Sequence, residues 1–377
     1  MVANNSDDMD RPGVGRPPGG RSLNLYISGA TGFVGRHVMA EALRRGHTVT
    51  AVVRPGSDFR LPDHIPHDRC RTVSVDLRSQ TGLAESLAGV DSVVHLAAAK
   101  AGDFYSQFAG TVAATENLLA AMDEAEVSQL VGISTFSAYD YLNLPSDSLL
   151  TESTPVDTHP ALRDEYAQTK LLQEGLYRQW GRRSGNRLVV LRPGMVYGPD
   201  NLWHALLGAD FGPRFLRVGS KATLPLTYVE NCAQAIIVTA ERLDAEPDLV
   251  DGETINIVDD DLPTQSEYAE LVSARTETPP TIPVPWPLLD VTSRLLKAGN
   301  QRLLHGRAKF PGIAVPDRLH ARFKPLRYSN AKAKRLLGWQ PTYSTVEAVE
   351  RSVARMERSI GPVDDPAPAV IGGSDRP

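Results

Sequence analysis

In the stretch DEYAQTK, residues 164–170, a tyrosine and a lysine stand four positions apart, Tyr166 and Lys170. On a helix that spacing puts both side chains on one face, one turn apart, so a titratable phenol sits beneath a positive charge. A second group of residues points to a ligand. Gly29, Gly32 and Gly35 form G-x-x-G-x-x-G in the stretch GATGFVG. Glycines let a backbone turn tightly and let a pyrophosphate approach where a Cβ would obstruct both. A helix N-terminus behind them would offer free N–H groups and partial positive charge to the phosphates. Either pattern alone is weak. Y-x-x-x-K also describes a surface helix with an aromatic on its inner edge, and a glycine cluster also describes a plain turn.

The surrounding elements supply the context. LNLYIS (23–28) reads as a strand, and RHVMAEALRRG carries a helical apolar stripe through Val38, Ala42 and Leu43 that Gly46 ends. Further strands are expected at 48–54, 71–77, 91–99, 129–135 and 187–193, with helices around 114–125 and around Tyr166. Strands alternating with helices imply right-handed crossovers and a parallel sheet covered on both faces. The near-continuous apolar strands agree with that burial. The glycine triplet falls between the first strand and the first helix, the position a dinucleotide-binding loop requires.

The 377 residues suffice for a full-sized core and one or two lobes. With 40 basic and 45 acidic residues the net charge is −5, which argues against a nucleic-acid partner. The two cysteines, Cys70 and Cys232, make no disulfide framework, and a cytoplasmic, reducing compartment is expected. No apolar run approaches membrane-spanning length, so no membrane partner is expected. Residues 1–22 and 361–377, polar and rich in Gly, Pro and Asp, read as disordered tails. Residues 23–200 are expected to form the dinucleotide-binding domain, with segments returning to it at about 226–258. Residues 201–355 are expected to form a smaller, discontinuous substrate-binding lobe.

Taken in order, GATGFVGRHV (29–38), VDL (75–77), HLAA (95–98), STFSAY (134–139), YAQTK (166–170), LRPGMVYGP (191–199), YVENCAQAI (228–236) and AKAKRLLGWQP (331–341) carry a resemblance. The chain is similar to extended short-chain dehydrogenase/reductases of the NAD(P)-dependent epimerase/dehydratase group. The resemblance spans about residues 23–355. It implies an α/β fold: a Rossmann-like doubly wound parallel sheet with a smaller C-terminal substrate-binding lobe. It implies that Tyr166 is the acid/base for hydride chemistry at a secondary alcohol or ketone, and that Lys170 and oxidised nicotinamide lower the phenol. A free phenol has a pKa near 10, so work near neutrality asks for roughly 3 units of lowering. A hydroxyl should also meet the substrate oxygen. Ser134 and Thr135 are the candidates, and strand alternation lets only one of them reach the site. The family pattern, counted back from Tyr139, favours Thr135. Asn117 matches a family asparagine, with a surface or cap role as the alternative.

The expected cofactor-binding residues are Gly29, Thr31, Gly32, Phe33, Val34, Gly35, Arg36, Arg54, Asp76, Leu77, Ala97, Pro193, Tyr166 and Lys170. Asp76 and Leu77 resemble the pair that flanks an adenine ring. An NAD enzyme commonly ends its second strand with an acidic residue for the ribose 2′-OH. Here Arg54 stands 19 positions past Gly35, and Arg36 follows the glycines directly. A guanidinium suits a 2′-phosphate, so NADP is favoured over NAD. No metal is expected.

The substrate is less legible. Family dehydratases place Asp and Glu after the threonine, where this chain has Phe136 and Ser137, which argues against dehydration. A nucleotide-sugar epimerase of this layout places an arginine five residues before the position of Val229, where this chain has Leu224. Arg217, Arg322 and Arg327 are other candidates for a phosphate. Trp286, Leu288 and Leu289 suit either a pocket mouth or lobe core. The reading favoured is hydride chemistry on a sugar, nucleotide-linked, by an oxidoreductase or epimerase. The alternatives are an NADPH-dependent reductase of an apolar ketone or aldehyde, similar to hydroxysteroid dehydrogenases, and a non-catalytic dinucleotide-binding protein. The partners expected are a small-molecule substrate and, as the resemblance implies, a second copy in a homodimer.

Overall fold

The computed structural model describes residues 15–17, 19–59, 68–199, 201–203, 207–211, 213–219, 221–303 and 315–359. The expected tail 361–377 and residues 1–14 lie outside the described residues. The later part of the expected N-terminal tail is fastened to the main body. Arg21 lies 2.9 Å from both Asp91 and Asp244, and Ser22 Oγ donates to the Gly46 carbonyl at 2.7 Å.

Seven strands form the central sheet: β1 (Asn24–Ser28), β2 (Thr48–Val53), β3 (Cys70–Ser74), β4 (Ser92–His95), β5 (Gln129–Ile133), β6 (Arg187–Pro193) and β7 (Thr254–Ile257). Their spatial order is β7-β6-β5-β4-β1-β2-β3, and every neighbouring pair is parallel. Their apolar runs follow from burial on both faces. Helices Phe33–Arg44 and Val229–Ala245 cover one face with Val38, Met39, Ala42, Ile236 and Ala240. Helices Ala114–Glu124 and Glu165–Gly181 cover the other with Leu118, Met122, Tyr177 and Trp180. This is the doubly wound, Rossmann-like α/β arrangement expected from the alternation of elements.

The strand order reverses beside β1: the chain leaves toward β2 on one side and returns to β4 on the other. The carboxyl ends of β1 and β4 therefore part, opening a crevice where such sheets receive ligands. Two features that the sequence does not announce bear on it. The helix at Ala114 is preceded by a π-helical stretch, Ala109–Ala113. A two-strand parallel ladder, Met195–Tyr197 with Leu226–Tyr228, carries the chain away from β6.

A smaller three-stranded sheet, Gly208–Phe211, Arg214–Val218 and Thr281–Val284, lies beyond it with helices Trp286–Leu303 and Pro316–Phe323. Trp286 packs with Val218, Leu319 and Phe323, so it is core of this lobe, whereas Leu288 is exposed. Arg322 faces Asp164 at 3.7 Å, and Arg327 donates to the Asp147 carbonyl. The chain then returns to the main body. Helix Ala331–Leu337 ends at Gly338, whose φ of +66° is a left-handed value that favours glycine, and Trp339 is fully buried in the main core.

Candidate active site

The crevice is a cavity of about 520 Å³ lined by residues from many segments of the chain. Gly29, Thr31, Gly32, Phe33, Val34 and Gly35 contribute from the glycine loop, Arg54 from the end of β2, and Asp76 and Leu77 from the end of β3. Ala97 follows β4, Ser134 and Thr135 follow β5, Tyr166 and Lys170 come from their helix, and Pro193 ends β6. Of the residues expected from sequence, Arg36 alone is not brought to the wall; its side chain is exposed in the first helical turn. Residues that the sequence reading missed also line the cavity, among them Arg78, Lys100, Ser106, Asn201 and Cys232.

The loop fits a dinucleotide on structural grounds. Helix Phe33–Arg44 begins at Gly32 with no side-chain cap, so its first N–H groups are left for a ligand. A Cβ on Gly35 would lie 2.0 Å from the Gly29 carbonyl oxygen, and one on Gly29 would lie 3.0 Å from the Ala97 amide nitrogen. The absent side chains let the turn close against β4 and keep the floor of the crevice bare backbone. At the far end Asn117 Nδ2 donates to the Leu77 carbonyl at 3.0 Å, so this asparagine holds the loop that carries Asp76 and Leu77. Asp76 is bound by Arg78, which holds its carboxyl below the usual range, with Arg54 adding to the effect.

At the other end the candidate acid/base residues assemble. Asp164 caps the helix by accepting from the Ala167 amide at 2.9 Å, which sets Tyr166 in the first turn. Lys170, one turn on, is buried and donates to the Ile133 carbonyl at 2.5 Å and to Gln173 Oε1. The two hydroxyl candidates part as strand alternation requires. Ser134 Oγ donates to Glu174 at 2.5 Å, away from the phenol. The Thr135 hydroxyl lies at the Tyr166 phenol and favours its ionised form. Thr135 also caps the following turn by accepting from the Ser137 amide at 3.2 Å.

Glu174 is the centre of a buried ionic group beneath this floor. Arg192 on β6 donates to it at 3.0 and 2.5 Å, and Arg178 donates at 2.7 Å. Burial pushes the carboxyl up, but the two guanidinium groups and Ser134 outweigh it and bring Glu174 down to about 2. The Arg192 guanidinium also stacks 4.6 Å from the Tyr139 ring centroid, while Tyr139 Oη donates to Asn256 on β7 at 2.6 Å. Tyr139 is thereby a brace of the turn after β5. Gln173 and Glu174 follow Lys170 at three and four positions, a spacing that returns to the same helix face and could have flagged both.

The electrostatics differ from the sequence expectation in one respect. Burial pushes the Tyr166 phenol above its ordinary value, with Thr135 opposing. Burial also pulls Lys170 down to about 7; Glu174 opposes this and Lys100 adds to it. Lys170 is not among the groups that act on the phenol, so the lowering expected from the helix spacing is not seen and desolvation prevails. A phenol held above its ordinary value stays protonated at neutral pH.

Among the described residues no group of three His, Cys, Asp or Glu side chains could hold a metal ion, and no helix is long and apolar enough to cross a membrane.

Comparison with known proteins agrees with this geometry. The model of the NAD dependent epimerase/dehydratase family matches residues 25–257. The 3 beta-hydroxysteroid dehydrogenase/Delta 5-->4-isomerase of Mycobacterium tuberculosis is 27% identical over 342 residues, covering 86% of this chain and 88% of the relative. GDP-mannose 3,5-epimerase 1 of Oryza sativa subsp. japonica is 25% identical over 272 residues, covering 66% of this chain and 68% of the relative. Among solved structures, MoeE5 in complex with UDP-glucuronic acid and NAD superposes with a TM-score of 0.65 at 20% identity, covering 89% of this chain and 100% of that one. The chain belongs to the NAD dependent epimerase/dehydratase family and is an enzyme of the extended short-chain dehydrogenase/reductase type.

Proposed function

We propose that the protein is an NAD(P)-dependent dehydrogenase that interconverts a secondary alcohol and a ketone on an apolar, polycyclic substrate of the 3β-hydroxysteroid kind. The observation that carries the reaction type is that Thr135, Tyr166 and Lys170 line the cavity of the glycine loop together, with the Thr135 hydroxyl at the phenol. Thr135 orients the substrate oxygen. Tyr166 gives that oxygen a proton in the reductive direction and takes it back in the oxidative one. Lys170 holds the cofactor ribose and lends charge to the phenol. Bound NAD(P) supplies the hydride donor or acceptor at the carbinol carbon. A phenol that is protonated in the free protein suits the proton-donating direction.

The substrate class rests on the cavity and on the relatives. Leu224, which stands where an epimerase of this layout has its arginine, is buried with Tyr197, Leu226 and Tyr228. Among the described lining residues the only guanidinium groups, Arg54 and Arg78, follow β2 and β3, remote in the sheet order from Tyr166. The steroid dehydrogenase relative also matches over a larger share of both chains than the epimerase does. The second reading, a nucleotide-linked sugar, is favoured by the rice epimerase and by the sequence motifs. Purified protein assayed with NAD(P) and a panel of 3β-hydroxysteroids, their ketones and nucleotide sugars decides between them. Net cofactor oxidation by a ketosteroid, reversed to net cofactor reduction with the matching 3β-hydroxysteroid, is expected. Epimerisation of a nucleotide sugar without net cofactor turnover would reject the proposal.

The cofactor preference is proposed to be NADP, through Arg54. Arg54→Asp should shift the NADP-to-NAD affinity ratio at least tenfold toward NAD. It removes a charge-assisted bond of about 1.5–3 kcal/mol, and roughly 1.4 kcal/mol is one decade. Titration of both cofactors into wild type, Arg54→Asp and Arg36→Ala measures this; an unchanged ratio would leave Arg54 a solvated strand end. A homodimer and a cytoplasmic location belong to the same proposal, the first checked by solution mass and the second by cell fractionation.

A further inference from the structure

Between Lys170 and the cofactor-binding strand runs a chain of buried polar side chains that the reaction as described does not use. Ser28 ends β1, His95 ends β4, Thr115 opens helix Ala114–Glu124, and Gln173 lies one turn past Lys170. Ser28, His95, Thr115 and Gln173 are fully buried. Ser28 Oγ lies 2.5 Å from His95 Nδ1, and His95 Nε2 lies 2.9 Å from Thr115 Oγ1. Gln173 Nε2 lies 2.8 Å from the same Thr115 oxygen, and Gln173 Oε1 meets Lys170 Nζ.

Donor and acceptor counts give this chain one direction. Ser28 Oγ accepts from the Ala97 amide at 3.3 Å and from the Leu96 amide at 3.2 Å, the latter shared with the Ser28 carbonyl, so both lone pairs face donors. Its own hydrogen therefore goes to His95 Nδ1. His95 then carries its proton on Nε2 and donates to Thr115. Thr115 sends its hydrogen to the Thr111 carbonyl at 2.6 Å, so its oxygen accepts from both His95 and Gln173. The Gln173 NH₂ is thereby fixed toward Thr115, with the Ala97 carbonyl at 3.4 Å as its other acceptor, and its carbonyl can only face Lys170. Burial pulls His95 down to about 3, so the ring stays neutral and the direction does not reverse. An ammonium has three donors. Gln173 and the Ile133 carbonyl take two of those on Lys170, and the third is left for the cavity that Lys170 lines.

We propose that Gln173 is a positioning residue: it orients Lys170 toward the cofactor ribose, and its own orientation is imposed from Ser28 on the cofactor-binding strand through His95 and Thr115. This rests on the reading of Lys170 as a cofactor-binding group. The charged and titratable groups that face Lys170 are Glu174 on its own helix, Lys100 in the segment after β4 and the neutral His95. Gln173→Glu keeps the acceptor for Lys170 and adds a charge but loses the donor to Thr115. Gln173→Met removes both, and Thr115→Val removes the anchor alone.

The test follows the Lys170 ε-carbon by NMR titration in cofactor-free protein, assigned with Lys170→Arg, together with the NAD and NADP dissociation constants. Relative to wild type, the Lys170 midpoint should rise by a pH unit or more in Gln173→Glu and fall in Gln173→Met. Thr115→Val should weaken cofactor binding about tenfold with Lys170 chemically intact. Midpoints and dissociation constants that match wild type in the variants, with only the melting temperature lowered, would make Gln173 a core filler and overturn the proposal. Should Lys170→Arg itself leave cofactor binding unchanged, the reading of Lys170 fails instead, and the two failures are told apart. If Gln173→Met does not fold, Gln173→Glu and Thr115→Val decide, since an unmoved midpoint in the first or unmoved affinity in the second overturns the proposal.

Discussion

Tyr166→Phe is expected to lower kcat by about 10²- to 10⁴-fold, the range associated with one positioned acid or base. The change removes one oxygen and leaves the ring. Burial pushes the phenol above its ordinary value, and Thr135 is the side chain that opposes this, so replacement strands no buried ion pair. Lys170 keeps both of its anchors, Ile133 and Gln173, neither of which involves the phenol. Cofactor affinity should therefore stay within a few-fold of wild type while turnover collapses. Stopped-flow turnover measured beside a cofactor titration separates the two. A variant that keeps more than a few per cent of the rate would remove Tyr166 from its acid/base role.

Gly35→Ala should have the next largest effect, on cofactor binding and on the fold at once. The added Cβ would lie 2.0 Å from the Gly29 oxygen and 2.8 Å from the Ala30 Cα. These are backbone atoms of the same loop and cannot swing aside, so the turn itself must move. Overpacking of this kind costs about 1–3 kcal/mol or more, which corresponds to a loss of roughly ten- to a hundredfold in affinity if it falls on the bound state. Gly32→Ala provides the contrast. A Cβ there meets only the Gly29 oxygen, at 3.2 Å, and otherwise enters open space. It should leave the melting temperature nearly unchanged and still weaken the dinucleotide, whose phosphates need that space. Equal melting temperatures for the two variants, or unchanged affinity in Gly35→Ala, would contradict the loop assignment.

Much of this site is legible in the chain because its signals are local. A glycine triplet between a strand and a helix needs no distant neighbour to be read. Tyr166 and Lys170 share a face because a helix repeats every 3.6 residues. The apolar strands announce their burial by composition, and the structure places them in the doubly wound sheet within a residue or so at most ends, though the third strand stops at Ser74 rather than Leu77, the fourth at His95 rather than Ala99 and the fifth at Ile133 rather than Thr135. Arg36 was less legible. It adjoins the last glycine, yet the helical turn that begins there carries its side chain out to solvent.

The choice between Ser134 and Thr135 shows where local reading ends. Alternation along the extended chain that continues β5 says that the two hydroxyls face opposite ways, but not which way either faces. That was decided by Glu174 and Arg192, from the neighbouring helix and strand, which claim Ser134 and leave Thr135 to Tyr166. LGWQP likewise reads as a motif, and only packing shows Trp339 buried in the main core. The sequence by itself determined the residue types, their spacing along each element and the loop that a dinucleotide needs, because backbone geometry and helix periodicity act over a few residues. The tertiary structure alone decided the protonation of the pair. Desolvation pulls Lys170 to about 7 and pushes the phenol up. Both shifts come from how much water surrounding elements exclude, and those elements lie tens of residues away along the chain.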